Sequence, residues 1–345
     1  MKKRISVLVA AVLAISCLAT ACGGNAGGEV KVGLGAHTDF AYGSHSVGDT
    51  VYGKEVTEAT AQADIHVATV MLDADGKIVK CVIDAIQVAA KVDANGAMIT
   101  DITKATFQTK KELKEGYNMK GASPIGKEWY EQAIAFEGWC VGKTLDDIKN
   151  MGLNDGYPTD KTLLAGCTIK VNAIQQAVIR AIEGATWTGA SANDTLGLGM
   201  TGELTQSYGT SATATAEKDG TVQAYVNFAA TAKNAEGKIT CVVIDSIQAN
   251  STWNTAGKIT TDMTKEPVTK YDQKEDYAMK PASPIGKEWY EQIDVFKQFI
   301  TGKTAAEVAN VAVDDGGYPT DKTLITGCTM KISAYKTAVA KALAN

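Results

Sequence analysis

The chain has 345 residues, of which 45% are hydrophobic and 21% charged, and its formal net charge is -5. A chain of this length can bury an ordinary hydrophobic core without a disulfide framework. Its acidic balance argues against a nucleic-acid-binding protein and against one that binds anionic membranes through its own surface.

The amino-terminal segment has the pattern of a secretory signal. The basic start MKKR is followed by an apolar stretch too short to span a membrane comfortably, and then by small residues. The surroundings of Cys22, with Ala before it and two glycines after it, resemble a bacterial lipoprotein signal, in which the cysteine after the cut is lipidated. We therefore expect residues 1–21 to be a signal peptide, Cys22 to carry the lipid and residues 22–31 to form a flexible tether. An ordinary cleaved signal is the alternative.

The mature protein is thus expected outside the cytoplasm, held to the cell membrane by its lipid. Removal of the three basic residues of the signal changes the net charge from -5 to -8. The remaining cysteines form no Cys-x-x-Cys pair and have no zinc spacing. The three histidines, His37, His45 and His66, all lie in the first half of the chain. No metal site is expected from them.

The clearest organisational feature is an internal repeat with an offset of 160 or 161 residues. The string GKIVKCVIDAIQ, which begins at residue 76, matches GKITCVVIDSIQ at 237, and the strings ASPIGKEWYEQ and GYPTDKTL, which begin at 122 and 156, recur unchanged at 282 and 317. We therefore expect two tandem homologous domains, residues 32–184 (repeat 1) and 196–345 (repeat 2). Residues 185–195, rich in Gly, Ser, Thr and Asn, are expected to link them.

Each repeat begins with β-rich sequence. In repeat 1 the runs ADIHVATVML and KIVKCVIDAIQV are joined by DADGK, and in repeat 2 AYVNFAATA and ITCVVIDSIQ are joined by KNAEGK. The Gly within each short polar connection is typical of a β-hairpin. Asp84 and Asp245 lie inside these apolar runs. A buried carboxylate there needs a partner or a shifted pKa; the alternative is a partly solvated strand face.

Helical patterns follow the strands. One helix is expected from Ser123 as the cap and Pro124 in the first turn, with Trp129 on its apolar face. Next, Thr144 and Thr304 have the spacing of capping residues for short helices. The last helix of each repeat has an apolar face at helical spacing. Strands followed by helices, without strict alternation, predict an α+β fold in which each repeat is an antiparallel β-rich half followed by helices.

Two glycine motifs do not meet the requirements of nucleotide-binding loops. VGKT at 141–144 and TGKT at 301–304 lack the first glycine of a P-loop and follow a helix, so Gly142 and Gly302 are interpreted as helix terminators. The GLG strings at Gly33 and Gly197 lack the third glycine of a dinucleotide fingerprint.

A Gly-Cys-Thr turn precedes the last helix of both repeats, at 166–168 and 327–329. Glycine allows close backbone approach, and free amides at a helix start favour an anion such as phosphate. A plain helix start explains the same residues without a ligand. A thiol near a helix amino terminus favours its thiolate, so Cys167 and Cys328 are also candidates for redox exchange.

This layout resembles the FMN-binding domain of bacterial electron-transfer lipoproteins, in which a hairpin region leads to an Asp-x-x-Ser-Gly-Ala-Thr motif and a closing helix. Repeat 2 keeps Thr-Gly-Cys-Thr at 326–329, with Cys where the family has Ala. The acidic position is Thr162 or Thr323, and Lys170 or Lys331 stands at the trailing hydroxyl position. These departures make noncovalent binding the expectation rather than the phosphoester bond to threonine known in the family.

The resemblance implies an FMN-binding protein that relays electrons at the cell surface, with a redox partner protein and no catalytic residue of its own. The residues implied in cofactor binding are Gly166, Cys167, Thr168, Lys170, Gly327, Cys328, Thr329 and Lys331. The alternatives are a non-redox surface lipoprotein that binds a small ligand or a partner protein, and a protein of thiol redox exchange.

Overall fold

The computed structural model describes residues 28–207 and 209–344. The expected signal peptide and Cys22 lie outside these residues. The described chain has an α+β fold, as the sequence predicts. Repeat 1 contains β1 (Glu29–Asp39), β2 (Thr50–Val51), β3 (Lys54–Glu55), β4 (Ala59–Leu72), β5 (Ile78–Val92), α1 (Lys110–Leu113), α2 (Trp129–Cys140), α3 (Leu145–Lys149), β6 (Leu153–Asn154), β7 (Tyr157–Pro158), α4 (Lys161–Leu164) and α5 (Asn172–Glu183). They are followed by β8 (Thr186–Ser191), β9 (Thr195–Thr205), β10 (Gly220–Lys233), β11 (Ile239–Trp253), α6 (Lys270–Gln273), α7 (Trp289–Ile300), α8 (Ala305–Ala309) and α9 (Ser333–Ala344).

Two antiparallel sheets form the centre of the molecule. The first has the strand order β5-β4-β1-β8 and the second has the order β11-β10-β9. The predicted hairpins are present as β4–β5 and β10–β11, and the connecting glycines Gly76 and Gly237 have φ of +77° and +74°. A residue with a Cβ rarely adopts this left-handed conformation, which explains the glycine in each turn.

The sheets pack face to face, and helices cover their outer faces. On β4, Ile65 and Val67 lie in the core between the sheets, whereas Ala68 and Val70 lie in the core beneath the helices of repeat 1. Alternate residues of a strand point to opposite faces, so both faces of β4 must be apolar. The same alternation places Asp64 and His66 on the helix side.

The expectation of two separate domains is not confirmed, because strands of both repeats build one core. Ile86 of β5 and Phe228 of β10 belong to the same buried cluster between the sheets. Hydrogen bonds also cross between the repeats, as from Trp253 Nε1 to the carbonyl of Gly96 at 3.0 Å. An ion pair joins Arg180 to Glu266 at 2.6 Å.

The segment 185–195 is not a flexible linker. Most of it forms strand β8, which pairs with β1 and leads through a short turn into β9. Residues 29–31, expected to belong to the tether, are instead the start of β1, which begins at Glu29. Backbone pairing in a sheet outweighs the loop-like composition of both segments.

Most helix boundaries follow their predicted caps, with one exception. The side chains of Thr144 and Thr304 accept hydrogen bonds at the starts of α3 and α8, and Gly142 and Gly302 have positive φ after α2 and α7. The helix expected from Ser123 instead begins at Trp129, with Glu128 as its cap. In the described part of the chain, no helix is sufficiently long and apolar to cross a membrane.

Candidate functional site

The two Gly-Cys-Thr turns do not lie directly at a helix start. The turn at 166–168 follows α4, and α5 begins only at Asn172. The amide of Thr168 donates to Gln132 Oε1 at 2.8 Å and its hydroxyl donates to the same atom at 3.2 Å. Thr329 makes the same contacts with Gln292 at 2.8 and 3.3 Å. The amide and hydroxyl of each threonine, which were expected to bind an anion, therefore donate to a buried glutamine instead.

The glycines of the turns serve close packing of helices. A Cβ on Gly166 would lie 2.7 Å from Ala135 Cβ of α2, and one on Gly327 would lie 2.9 Å from Val295 side-chain atoms of α7. Both distances are shorter than Cβ contacts allow. The glycines thus bring the turn against the neighbouring helix, and close approach of a ligand is not needed to explain them.

Cys167 and Cys328 are core residues. Both are fully buried, and burial raises the pKa of each thiol to about 11, although a backbone amide (Ile169 and Met330) acts in the opposite direction. A thiol with such a pKa is almost entirely protonated at neutral pH, and the thiolate is the reactive form. This geometry disfavours thiol redox exchange.

We expect Cys167 and Cys328 to resist alkylation by iodoacetamide in the folded protein at pH 8, because both are buried and protonated. Mass spectrometry of peptides after brief labelling should show less than about one tenth of the modification found in urea-unfolded protein. Rapid labelling of either residue under native conditions would show that its thiol is accessible and would restore redox exchange as an alternative.

A pocket of about 770 Å³ opens beside the turn of repeat 1, and Thr168 and Lys170 line it. Its size lies within the roughly 300–1,000 Å³ typical of small-molecule sites. Tyr157 stands at its exposed end, and Trp129 lies at its buried end. The remaining lining includes Asp39, Ala41, Asp64, His66, Lys110, Tyr117, Met119, Ala122, Ser123, Pro124, Gln132, Ile169, Asn172 and Ala173.

An ion pair forms the buried end of this pocket. Lys110 Nζ lies 3.0 Å from Asp64 Oδ2, and the two side chains are 4% and 1% exposed. The rings of Tyr42, Tyr117 and Trp129 surround the ammonium at 5.3 to 5.8 Å from their centroids. Burial is the largest single effect and opposes the charged form, but Asp64 and Tyr117 together outweigh it, and the pKa of Lys110 is raised above its ordinary value.

His66 lies next to this pair. Its Nε2 is 3.4 Å from Asp64 Oδ1, and burial lowers its pKa to about 4 despite the nearby carboxylate. The histidine is therefore neutral at pH 7. His66 Nδ1 and Asp64 Oδ1 are buried and have no hydrogen-bond partner.

Asp84 positions α1, the helix that carries the pocket residue Lys110. Its Oδ1 accepts hydrogen bonds from the amides of Ala85 at 2.8 Å and of Lys111 at 3.1 Å, so that it holds α1 and the adjacent Lys110 against β5. Burial raises its pKa to about 6. Asp245 holds α6 in the same way through Tyr271, and burial raises its pKa to about 7. The predicted buried carboxylates thus have partners and shifted pKa values.

The corresponding space in repeat 2 is filled by two tyrosines. Tyr225 stands where repeat 1 has Asp64, and Tyr335 stands where it has Ile174. Their hydroxyls lie 2.9 Å apart, and Tyr335 also accepts from Trp289 Nε1 at 3.0 Å. Lys270, the counterpart of Lys110, donates to the Tyr225 hydroxyl at 2.7 Å. The turn residues Gly327, Cys328, Thr329 and Lys331 therefore adjoin a packed interior.

Sequence reasoning missed the central residues of the pocket, namely Asp64, His66 and Lys110. Asp64 and His66 could have been recognised from the sequence, because they are polar residues inside the apolar run ADIHVATVML, as Asp84 is in VIDAIQ. Lys110 could not, since a lysine in the first turn of a short helix is ordinarily solvated. Among the described residues, no group of three or more His, Cys, Asp or Glu side chains is arranged to hold a metal ion.

Comparison of the chain with protein-family models, with curated proteins and with solved structures gives no match in any of the three.

Proposed function

We propose that the protein binds FMN noncovalently in the pocket of repeat 1 and serves as a lipid-anchored electron relay outside the cytoplasm. The observation that carries the proposal is the 770 Å³ pocket beside Thr168 and Lys170, which has aromatic walls and charged groups at both ends. Repeat 2 then acts as a structural partner that completes the core. The lipid on Cys22 would hold the protein at the membrane, where a redox partner protein would exchange electrons with it.

The residues of the pocket suit the parts of FMN. Trp129 and Tyr117 offer ring surfaces for a planar heterocycle. Lys170, whose ammonium lies 5.3 Å from the Tyr157 ring centroid and 3.2 Å from the exposed carboxylate of Asp155, offers a cation at the exposed end. The first amides of α5 near Asn172 add partial positive charge there, because a helix has no internal acceptor for them. A phosphate would therefore lie between Lys170 and the start of α5, and not at Thr168, whose amide and hydroxyl already donate to Gln132. When bound, FMN would supply one- and two-electron chemistry.

We expect the purified mature protein to bind one FMN per chain, and Lys170→Ala to weaken this binding about tenfold, since a charge-assisted hydrogen bond contributes on the order of 1.5 kcal/mol. Quenching of FMN fluorescence gives the affinity and stoichiometry. Lys331→Ala is the matched control, because Lys331 is the exposed counterpart in repeat 2 and should not change the affinity. Equal effects of the two substitutions would remove the assignment to repeat 1.

A second variant tests the pocket itself. Ile174→Tyr introduces into α5 the side chain that fills repeat 2 at Tyr335, and it should abolish FMN binding while the protein stays folded by circular dichroism. Ile174→Leu is the control of similar volume. A folded Ile174→Tyr protein with the affinity of its parent would show that FMN binds elsewhere.

A non-redox ligand-binding lipoprotein is the second candidate. The charged pair Asp64–Lys110 favours it, because a polar buried end suits many ligands that carry hydrogen-bond donors. Protein purified from flavin-replete cells distinguishes the two functions. A yellow protein supports the relay, whereas a colourless protein that does not respond to added FMN supports the second candidate.

A further inference from the structure

The buried end of the pocket holds two hydrogen-bond acceptors that the protein itself does not satisfy. Asp64 is fully buried and His66 is 8% exposed. Neither Asp64 Oδ1 nor His66 Nδ1 has a hydrogen-bond partner. Buried polar groups in proteins are nearly always paired, and leaving one unpaired costs about 1–3 kcal/mol. Because both residues line the pocket, these two atoms indicate a ligand that donates to one of them.

The chemistry of both atoms is that of acceptors. We assign the proton of the neutral His66 ring to Nε2, which faces Asp64 Oδ1 at 3.4 Å without hydrogen-bond geometry, and Nδ1 then keeps a lone pair. Asp64 Oδ2 already accepts from Lys110 at 3.0 Å and from Gln87 Nε2 at 3.1 Å, whereas Oδ1 has only this long contact with His66 and keeps a lone pair for a further donor.

Lys110 supplies the complementary donor. Its ammonium has three protons, of which Asp64 Oδ2 accepts one, and three aromatic rings enclose the rest of the group. A ligand carbonyl beside the ammonium would accept another proton. The same wall therefore offers acceptors next to a cationic donor, with Trp129 beside them as a flat surface.

Repeat 2 provides an internal comparison. The positions of Asp64 and His66 are occupied there by Tyr225 and Asn227. Asn227 Oδ1 accepts from Ser246 Oγ at 2.7 Å, and the hydroxyl of Tyr225 is paired with that of Tyr335. At these two positions, repeat 2 thus satisfies its polar groups within the protein, whereas repeat 1 leaves Asp64 Oδ1 and His66 Nδ1 without a hydrogen bond.

We propose that the buried end of the repeat 1 pocket recognises the imide edge of a planar ring, in which an N–H group lies between two carbonyls. The N–H donates to His66 Nδ1 or Asp64 Oδ1, and one carbonyl accepts from Lys110. This inference rests on the proposed function, since flavins carry such an edge. It applies equally to a uracil ring, which shares the edge and lacks the rest of the flavin.

The test uses methylation of the imide nitrogen, which removes the donor and leaves the rest of the ligand intact. FMN and 3-methyl-FMN, and UMP and 3-methyl-UMP, are titrated against the mature wild-type protein by isothermal calorimetry. We expect each methylated ligand to bind at least about tenfold more weakly than its parent, because a buried acceptor is then left unpaired.

The outcomes separate the two proposals. FMN binding without discrimination against 3-methyl-FMN overturns the imide assignment and leaves the FMN proposal standing. UMP binding with discrimination, in the absence of FMN binding, supports the imide assignment and overturns the FMN proposal. Absence of binding by all four compounds overturns both.

A variant locates the contact. His66→Leu should reduce the discrimination between each parent ligand and its methylated form to about threefold or less if His66 Nδ1 is the acceptor. Asp64→Asn, which retains an oxygen but not the charge, reports on the other acceptor. His45→Leu, at a histidine outside the pocket lining, is the control and should leave the discrimination unchanged. Full discrimination in both pocket variants would contradict the assignment.

Discussion

Gly35→Ala is expected to lower the free energy of unfolding by about 3 kcal/mol, because α5 packs directly on the backbone of β1. A Cβ at Gly35 would lie 2.3 Å from the amide nitrogen of Ala181 and 2.4 Å from the carbonyl oxygen of Ala177. These are backbone atoms of a helix and cannot rotate away. Urea unfolding followed by circular dichroism measures the change.

The control is Gly138→Ala, at an exposed position of α2 where an added Cβ meets no atom within 4 Å. Alanine has the higher helix propensity, so this variant should be unchanged or more stable by up to about 1 kcal/mol. Gly199→Ala repeats the test in repeat 2, where the added atom would lie 2.1 Å from the carbonyl oxygen of Ala338. An unfolding midpoint for Gly35→Ala equal to that of the parent would refute the close packing of α5 on β1.

Asp64→Asn is expected to destabilise the protein by about 3 kcal/mol at pH 7, because the ammonium of Lys110 is left buried without a counter-charge. Lys270 in repeat 2 is a natural example of a buried lysine at this position without an aspartate in the place of Asp64, although Asp245 acts on it from a greater distance. It has Tyr225 in that place, and burial lowers its pKa to about 7. The pKa of Lys110 should fall toward that of Lys270 in the variant.

The direction of the pH dependence distinguishes this cause from a loss of packing. In the parent, the raised pKa of Lys110 contributes stability that is present below the unfolded-state pKa of about 10.5 and is lost only as pH rises beyond it. In the variant the unfolded chain binds more protons between about pH 7 and pH 10, so its stability should rise over that range and the deficit should shrink. Tyr225→Phe, which removes no charge, is the control. A deficit that stays constant from pH 7 to pH 10 would exclude the charge as its cause.

The two repeats have diverged at a small number of positions that decide whether an interior is open. Asp64 lines the pocket of repeat 1 and Ile174 lies in the adjoining hydrophobic core, whereas tyrosines occupy both equivalent positions, 225 and 335, in repeat 2. Both copies retain the lysine, the tryptophan and the threonine–glutamine contact around this space. Because of the duplication, a substitution in one repeat can be compared with the same substitution at the equivalent position of the other repeat.

The sequence determined by itself the features that depend on local spacing. The β-rich apolar runs on either side of DADGK and KNAEGK identify both hairpins, and Thr144 and Thr304 mark the starts of α3 and α8. The internal repeat identifies equivalent residues in the two halves. The hairpin and capping signals each lie within about a dozen neighbouring residues, where backbone geometry alone relates side-chain positions.

Only the tertiary structure decided how the halves meet and where a ligand has room. Asp64 and Lys110 lie 46 residues apart, and their pairing depends on how α1 docks beside β5. The sequence around Thr168 predicts phosphate binding, but the amide and hydroxyl of Thr168 donate hydrogen bonds to Gln132, 36 residues away. The loop-like residues 186–191 became β8 because β1 offered a free edge. The physical reason is common to all three, since a polar group or strand edge is satisfied by whichever partner the packed fold brings to it.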